Sequence, residues 1–130
     1  MTVGVASGIV NSILDALARN TPWTQPAAFC VKLHLGDPGS AGTANAAVET
    51  TRKAVTCSAA SAGSITNSAD ITWTSVSTTE TYSHVSFWSA TSAGTFLGSD
   101  DLAVARAVIA GDNFTISAGS LTLALAPIAA

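Results

Sequence analysis

The period of the hydrophobic pattern changes near Pro26, and this change constrains the fold more than any other feature of the sequence. Before Pro26, apolar residues recur every four positions, which is the spacing of one face of an amphipathic helix. The residues on this face are Val5, Ile9, Ile13 and Leu17. After Pro26, apolar residues recur every second position, as in a strand with one buried face. The pattern predicts an N-terminal helix over residues 1–20 and a β-domain over residues 27–126.

The alternating pattern occurs in several short segments of the β-domain. In the clearest, residues 29–35, Val31 and Leu33 share one face and His34 lies on the other. The other segments are 54–58, 70–74, 83–89, 95–98, 114–116 and 121–125, and segment 103–109 has a weaker pattern that fits either a strand or a loop. Gly, Ser and Asn turns separate them. About seven short strands with such turns predict a mainly β fold, an antiparallel β-sandwich or barrel with one N-terminal α-helix.

One long stretch carries no periodicity. The turn residues Gly36-Asp37-Pro38-Gly39 end the first strand, and residues 39–50 are mostly Gly, Ser, Ala, Thr and Asn. Loops of this length are uncommon inside a compact domain. We therefore expect a flexible loop that serves as a contact arm.

The composition indicates one domain with a surface that is easily desolvated. The chain has 130 residues, which corresponds to a single domain over residues 1–130. Charged residues are 10% of the chain, against about 25% in an ordinary soluble domain. Covering such a surface removes little ionic hydration, which favours an oligomer or a particle-bound subunit. A soluble monomer with a Ser/Thr-rich surface is the alternative.

Charge and hydropathy argue against two classes of partner. The net charge is −3 and the five basic residues are scattered, so no stripe exists to neutralise phosphates, and we expect no nucleic-acid binding. No apolar run reaches the roughly 18 residues that a membrane span needs. The N-terminus does not read as a secretory signal, which predicts synthesis in a cytoplasm. There, Cys30 and Cys57 are expected to be thiols, with one disulfide as the alternative.

The sequence contains few residues and motifs that could form an active site. His34 with Asp37, or His84 with Asp70, would be needed to activate a serine, but no Gly-x-Ser-x-Gly motif accompanies them. No pair of residues has metal-ligand spacing such as Cys-x-x-Cys. We expect a protein that is not an enzyme and has no catalytic, cofactor-binding or metal-ligating residues.

Two polar clusters are expected to serve turns. They are Asp100-Asp101 and Asp112-Asn113, and Asp and Asn side chains bond their own backbone in turns. A calcium site at either cluster is the alternative, because Ca²⁺ takes oxygen ligands from irregular loops.

Aromatic residues provide candidates for contacts with other molecules. Trp88 is out of phase with the apolar face of its strand and shares a face with His84, and Tyr82 lies on the same strand. Trp and Tyr are enriched in interface cores, so we favour an inter-subunit anchor over a ligand platform. The candidate assembly residues are Val5, Ile9, Ile13, Leu17, Tyr82, His84 and Trp88.

Segments spread over nearly the whole chain carry a family resemblance. These segments are residues 11–21, 33–39, 52–56, 63–73, 84–90 and 111–121. Through them the chain resembles a group of small virion proteins of tailed bacteriophages, especially those infecting actinobacteria, which are labelled tail fibre or head decoration proteins. The resemblance implies a component of the virion surface and brings no catalytic residues.

The resemblance leaves two functions open. A compact domain without coiled-coil or collagen-like sequence favours a capsid decoration subunit that binds the head surface and reinforces it. Its expected partners are further copies in a symmetric homo-oligomer and virion proteins such as the major capsid protein. The alternative is a tail fibre or tail-tip adhesion module that binds host cell-surface glycan. Oligomer number and the docking partner do not follow from the sequence.

Overall fold

The computed structural model describes residues 3–125. Within them the fold is mainly β, with one helix near the N-terminus and antiparallel pairing between all paired strands, as the sequence predicts. In chain order the elements are β1 (Gly4–Val5), α1 (Ser7–Ala18), β2 (Cys30–His34), β3 (Lys53–Ala54), β4 (Ser64–Thr66), β5 (Ile71–Trp73), β6 (Glu80–Trp88), β7 (Phe96–Val108), β8 (Phe114–Ile116) and β9 (Thr122–Ala124).

Helix α1 begins later than predicted, because the chain first pairs as a strand. Val5, expected on the helical face, lies in β1 and pairs with β7. The N-cap residue is Ala6, which makes no side-chain capping bond. The Ala6 amide donates to the Leu97 carbonyl at 3.0 Å, which fixes the helix start to the sheet. The helix has 12 residues, and no helix in residues 3–125 is long and apolar enough to cross a membrane.

Five strands form the main sheet, in the order β1-β7-β6-β2-β3. At its centre β2 and β6 pair in continuous register, from Cys30 opposite Trp88 to His34 opposite His84. The predicted inward faces are confirmed on both strands, but the expectation of only one buried face is wrong, because Cys30, His34 and Ser86 on the second face are also fully buried. The residues facing the core are Val31, Leu33, Val85 and Phe87.

Strand β7 is longer than predicted and contains a bulge. The two expected segments, 95–98 and 103–109, are parts of one strand, Phe96–Val108. Tyr82 of β6 pairs with Arg106, whereas His84 pairs with Asp101. Between these two pairs, one residue of β6 therefore lies opposite four residues of β7. A register shift of this kind changes the direction in which neighbouring side chains point. Tyr82 consequently lies on the core side, although alternation alone would place it beside His84.

Two small sheets, β4-β9 and β5-β8, complete the sandwich-like body. The β5-β8 pair brings aromatic rings into the core, where Phe114 lies 5.8 Å from Trp73 and 5.0 Å from Tyr82 between ring centroids. Ile9 of α1 packs against the same core. The strands described in residues 3–125 do not close into a barrel.

The segment between β2 and β3 is not a free arm. It folds back so that the Leu35 amide donates to Asn45 at 2.8 Å and the Ala47 amide to Leu33 at 3.2 Å. Ala47 is buried. This segment covers the second face of the main sheet, so the expectation of a flexible loop at 39–50 is wrong, while its expected role as a contact arm stays a prediction. A loop without periodicity can still be ordered when it supplies the cover that a sheet face needs.

Candidate assembly surface

Tyr82, a predicted assembly residue, lies inside the molecule. Its side chain is fully buried, and its hydroxyl has no hydrogen-bond partner. Burial raises the pKa of this hydroxyl to about 12, with further upward contributions from the charges of Glu80 and Glu49. In this structure the ring has no exposed surface that a second molecule could contact.

Trp88 is also covered, although it faces away from the main core. It is 9% exposed, the Arg52 guanidinium lies 4.2 Å from the centre of its ring, and Phe96 lies 5.5 Å away. Arg52 is fixed over the ring because it also donates to the carbonyls of Ala90 and Ala93. The cover comes from the chain itself, which leaves neither an open platform for a sugar nor a free anchor at Trp88.

A chain of buried hydrogen bonds continues from Trp88 to the segment between β2 and β3, which we call the covering loop. The Trp88 indole donates to Ser86 Oγ at 2.7 Å, Ser86 Oγ lies 2.8 Å from His34 Nε2, and His34 Nδ1 lies 2.8 Å from the Ala44 carbonyl. An indole N–H only donates and a carbonyl only accepts. The carbonyl therefore requires a proton on His34 Nδ1, and because burial lowers the pKa of His34, the ring is neutral and the Ser86 hydroxyl donates to Nε2.

The Ser86–His34 contact resembles a nucleophile with its base, but both side chains are fully buried. Burial lowers the pKa of His34, and the nearby charges of Lys32 and His84 also lower it. The two His–Asp pairs considered from the sequence do not form, because Asp37 accepts from the Gly39 amide and Asp70 from the Ala118 amide. The arrangement seals the second face of the sheet and presents no reactive group to a substrate.

His84, the third predicted polar contact, is half-buried. Its Nδ1 lies 2.8 Å from the hydroxyl of the adjacent Ser83, so it is not joined to Tyr82 or Trp88. The structure therefore separates the three residues that the sequence grouped on β6. Cys30 and Cys57 are both free thiols, the first buried and the second half-buried.

The polar clusters have two different roles. Asp112 serves a turn, as predicted, accepting from the Ile109 amide, whereas Asn113 accepts from the distant Ser75 amide and joins two segments of the chain. Asp100 and Asp101 lie within β7, so the expectation of a turn there is wrong. Among residues 3–125, no group of three or more His, Cys, Asp or Glu side chains is arranged to hold a metal ion.

The prominent open feature is an apolar groove beside α1, which we call the α1 groove. It encloses about 540 Å³ between the helix, the segment leading to β2 and the β4-β9 pair, and none of the residues within 3–125 that line it is charged. Its principal lining residues are Ile9, Ile13, Trp23, Phe29, Ile65 and Leu123. Cavities of this size accept several apolar side chains, and most ligand pockets fall in the same range.

Exposed apolar side chains concentrate around this groove. Eight large hydrophobic residues are exposed in residues 3–125, and four of them lie on α1 or on the groove wall. These four are Leu14 at 53%, Leu17 at 80%, Trp23 at 41% and Leu125 at 42% exposure. We call Leu14 and Leu17, neighbours on the helix surface, the leucine ridge. A concentration of apolar surface of this kind marks an interaction site more often than single exposed residues do.

The sequence identified part of this surface. Ile9 and Ile13 line the groove with Val5, and Leu17 continues their face beyond it. Sequence reasoning missed Phe29, Ile65 and Leu123 as groove walls. They come from separate segments that meet only through the fold. The local pattern assigned Phe29 and Leu123 to strands without showing which strand edge stays uncovered, and it predicted no strand at Ile65.

The comparisons with known proteins agree with a virion protein. No curated protein matches the chain. The family model described as "Podophage GP4 fiber I protein gp80" matches residues 5–124, which include all of α1 and every strand from β2 to β9. The match neither names a head protein nor specifies an actinobacterial host. The chain thus belongs to the family of the podophage GP4 fiber I protein gp80, and it is a structural protein of a phage virion.

Proposed function

We propose that the protein is a non-enzymatic subunit of the phage fibre and that it attaches within this assembly through the α1 groove. The groove with its exposed leucine ridge is the observation that carries the proposal. It is uncharged, open to solvent and flanked by side chains that gain stability when covered. The polar groups of the second sheet face are, by contrast, already satisfied within the chain.

The description of the family supports the fibre over the head as the location. The structure gives less support to glycan adhesion through Tyr82 and Trp88, because both rings are covered by the chain itself. Of the three tryptophans, Trp23 is the exposed one, and it is part of the groove. An assembly role therefore fits the available surface better than a sugar-stacking role.

Capsid decoration is the second candidate, and one observation favours it. Residues 3–125 form a sandwich-like body with a 12-residue helix and no extended stalk, a shape suited to a lattice-bound subunit. Many weak contacts repeated over a lattice would then add up to a stable attachment.

Labelling of intact virions distinguishes the two locations. A small tag inserted at the exposed Ala110-Gly111 turn, at the opposite end of β7 from the groove, is detected by gold labelling and cryo-electron microscopy. We expect label on the fibres at the tail. A regular array of label over the head would overturn the fibre assignment and establish decoration, and unlabelled particles with tagged protein only in the lysate would contradict both.

A further inference from the structure

We propose that the cleft between β7 and β8 binds a small sugar that carries an oxyanion, either a carboxylate or a phosphate group. Arg106 holds the oxyanion, and the hydroxyls of Ser117 and Ser120 contact the hydroxyls of the sugar. The cleft shares no described lining residue with the α1 groove, so this inference goes beyond the proposed function.

The bulge in β7 opens this cleft. Residues 102–105 of the strand pair neither with β6 nor with β1. Strand β8 pairs with β5 along one edge, and no strand described within 3–125 pairs with its other edge. The space enclosed between the two strands is about 150 Å³. Pockets for drug-sized ligands measure roughly 300–1,000 Å³, so this smaller cleft suits a single sugar ring.

Arg106 supplies an unused positive charge to the cleft. It lies opposite Tyr82 in the ladder, and opposite residues share a sheet face, so its side chain starts on the core side, where β8 lies. Arg19 pairs with Asp15, and Arg52 donates to backbone carbonyls. Arg106 makes no hydrogen bond or ion pair with any residue in 3–125. A free guanidinium fork matches the two oxygens of a carboxylate or phosphate.

Two serine hydroxyls stand on a rigid turn at the other side of the cleft. The Ser120 amide donates to the Ser117 carbonyl at 3.1 Å. The amides of Gly119 and Leu121 donate to the buried Asn67 at 2.8 Å and 2.9 Å, which anchors the turn to the body. Neither serine hydroxyl has a hydrogen bond within the part of the chain that the structure describes. Fixed groups of this kind lose little conformational entropy when a ligand binds.

The floor of the cleft is apolar. Phe114 and Ile116 of β8 are buried, and Leu102 packs partly against the core. A sugar ring presents C–H faces to such side chains and hydroxyls to the serines, and no acidic residue among the described lining repels its oxyanion. An inorganic anion would use the arginine alone, and a neutral sugar would leave the arginine unpaired. The combination therefore favours an anionic sugar over both.

The first test is an NMR titration of the isotope-labelled full chain with hexuronates, hexose phosphates, neutral hexoses and inorganic phosphate. We expect one of the two anionic sugar classes to bind in the millimolar range and to shift the amide signals of residues 115–120. Neutral hexoses and inorganic phosphate should bind at least about tenfold more weakly. Tighter binding of hexuronates identifies a carboxylate ligand, and tighter binding of hexose phosphates identifies a phosphate ligand.

Two results of this titration would overturn the proposal. One is the absence of any shift with every anionic sugar up to tens of millimolar. The other is inorganic phosphate that binds as tightly as the best anionic sugar.

Arg106→Gln and Arg19→Gln form a matched pair of variants. Both remove a guanidinium from an exposed position, but Arg19 follows α1 and does not line the cleft. We expect Arg106→Gln to weaken the tightest anionic sugar at least about tenfold, because charge-assisted hydrogen bonds are lost, and Arg19→Gln to bind like the wild-type protein. Arg106→Lys keeps the charge without the fork, so its affinity should lie between. Unchanged binding in Arg106→Gln, with folding checked by thermal unfolding, contradicts the site.

Replacing both serines tests the contacts to the sugar. The hydrogen bonds of the turn use backbone atoms of Ser117 and Ser120, so the double variant Ser117→Ala with Ser120→Ala keeps the turn. We expect it to bind the anionic sugar about tenfold more weakly, because two hydroxyl contacts are lost, and to leave the weak binding of inorganic phosphate unchanged. Wild-type affinity for the anionic sugar in this variant would show that the serines do not bind it, and would overturn the proposal.

Discussion

His34 joins the covering loop to the second face of the main sheet. Its two ring nitrogens contact the Ala44 carbonyl and Ser86 Oγ, and Ser86 in turn accepts from Trp88. With His34 neutral and its proton on Nδ1, every donor in this network has an acceptor, whereas a second proton on Nε2 would leave the Ser86 hydroxyl without the acceptor it uses. A buried network of this kind is stable when complete and costly when one member changes its protonation.

Acid should therefore destabilise the fold through His34. Its folded pKa lies below the ordinary value of 6.5, so between these two values the unfolded chain binds more protons than the folded chain. The free energy of unfolding should fall as the pH drops from above 6.5 towards the folded pKa, and this group should add no further loss below it. Urea unfolding at pH 7.5 and pH 5.0 measures the effect.

A His34→Leu variant provides the comparison for this pH effect. It leaves the Ala44 carbonyl without a donor and the Ser86 hydroxyl without an acceptor, although Ser86 still accepts from Trp88, and each loss should cost about 1–3 kcal/mol at pH 7.5. The variant should lose less stability than the wild-type protein between pH 7.5 and pH 5.0. Equal losses would show that another group causes the pH dependence.

Tyr82 is the single tyrosine of the chain, so its titration can be followed without interference. Its folded pKa of about 12 lies above the ordinary value of 10.0, so the fold holds the neutral phenol. The stability that this group contributes is present below pH 10 and is lost as the pH rises towards 12. Absorbance at the phenolate band should stay flat through pH 10, and a transition near pH 10 in folded protein would contradict the burial.

Removing the Tyr82 hydroxyl should not harm the fold. The hydroxyl is buried without a partner, and a buried unpaired polar group costs about 1–3 kcal/mol. We expect Tyr82→Phe to be neutral or stabilising by about 1 kcal/mol in urea unfolding. Tyr82→Ala, which also removes the ring from the Phe114 contact, should destabilise by about 3–5 kcal/mol. A clear loss of stability in Tyr82→Phe would reveal a hydrogen bond at the hydroxyl.

At the scale of elements, the covering loop depends on the close approach of the Gly42 backbone to the Phe96 ring. This residue is buried with φ of +74°, and a Cβ there would overlap the Phe96 ring. Gly111 also has a positive φ, of +96°, but a Cβ there would meet no atom within 4 Å. We expect Gly111→Ala to cost about 1–2 kcal/mol for the backbone alone. Gly42→Ala should cost about 1–3 kcal/mol more, because the ring must also move.

Chemical denaturation of these two glycine variants measures the difference directly. Equal losses would mean that the loop does not press on Phe96 and that the second sheet face is open. That result would restore the expectation of a free contact arm at residues 39–50.

The elements that the sequence predicted best are those whose pattern is local. The alternation along β2 and β6 needs only neighbouring residues, and both strands were found with the correct inward faces. The bulge in β7 and the two-residue strand β1 could not be found in this way, because a partner distant in sequence determines them. The same limit explains why the burial of Tyr82 was not predicted. The register shift turns its side chain towards the core, and the residues next to Tyr82 in the sequence give no sign of that shift.

The candidate surface was predictable only on its helical side. The four-residue repeat identified Ile9, Ile13 and Leu17, which lie in or beside the groove. The opposite wall is formed by Ile65 and Leu123, brought together by the β4-β9 pairing of segments far apart in sequence. Trp88 looked exposed from the pattern because nothing local indicates that Arg52 lies over its ring.

At the scale of the whole molecule, the chain covers its apolar surfaces to different extents on different sides. One face of the main sheet is closed by the small sheets and the other by the loop before β3. The side beside α1 retains an open groove of about 540 Å³ and a nearly bare leucine at the end of the helix. This uneven distribution is the basis of our proposal that the subunit attaches through the side beside α1.

The most direct test of this account is the number of copies of the protein in purified virions, measured by quantitative mass spectrometry. The phage is grown on hosts that supply the wild-type protein, Leu17→Lys or Ile109→Lys as the sole source. Ile109 is exposed and does not line the groove, so Ile109→Lys adds the same charge elsewhere. We expect wild-type and Ile109→Lys virions to contain equal amounts and Leu17→Lys virions to contain at least about tenfold less. Equal incorporation of folded Leu17→Lys protein would contradict attachment through the α1 groove.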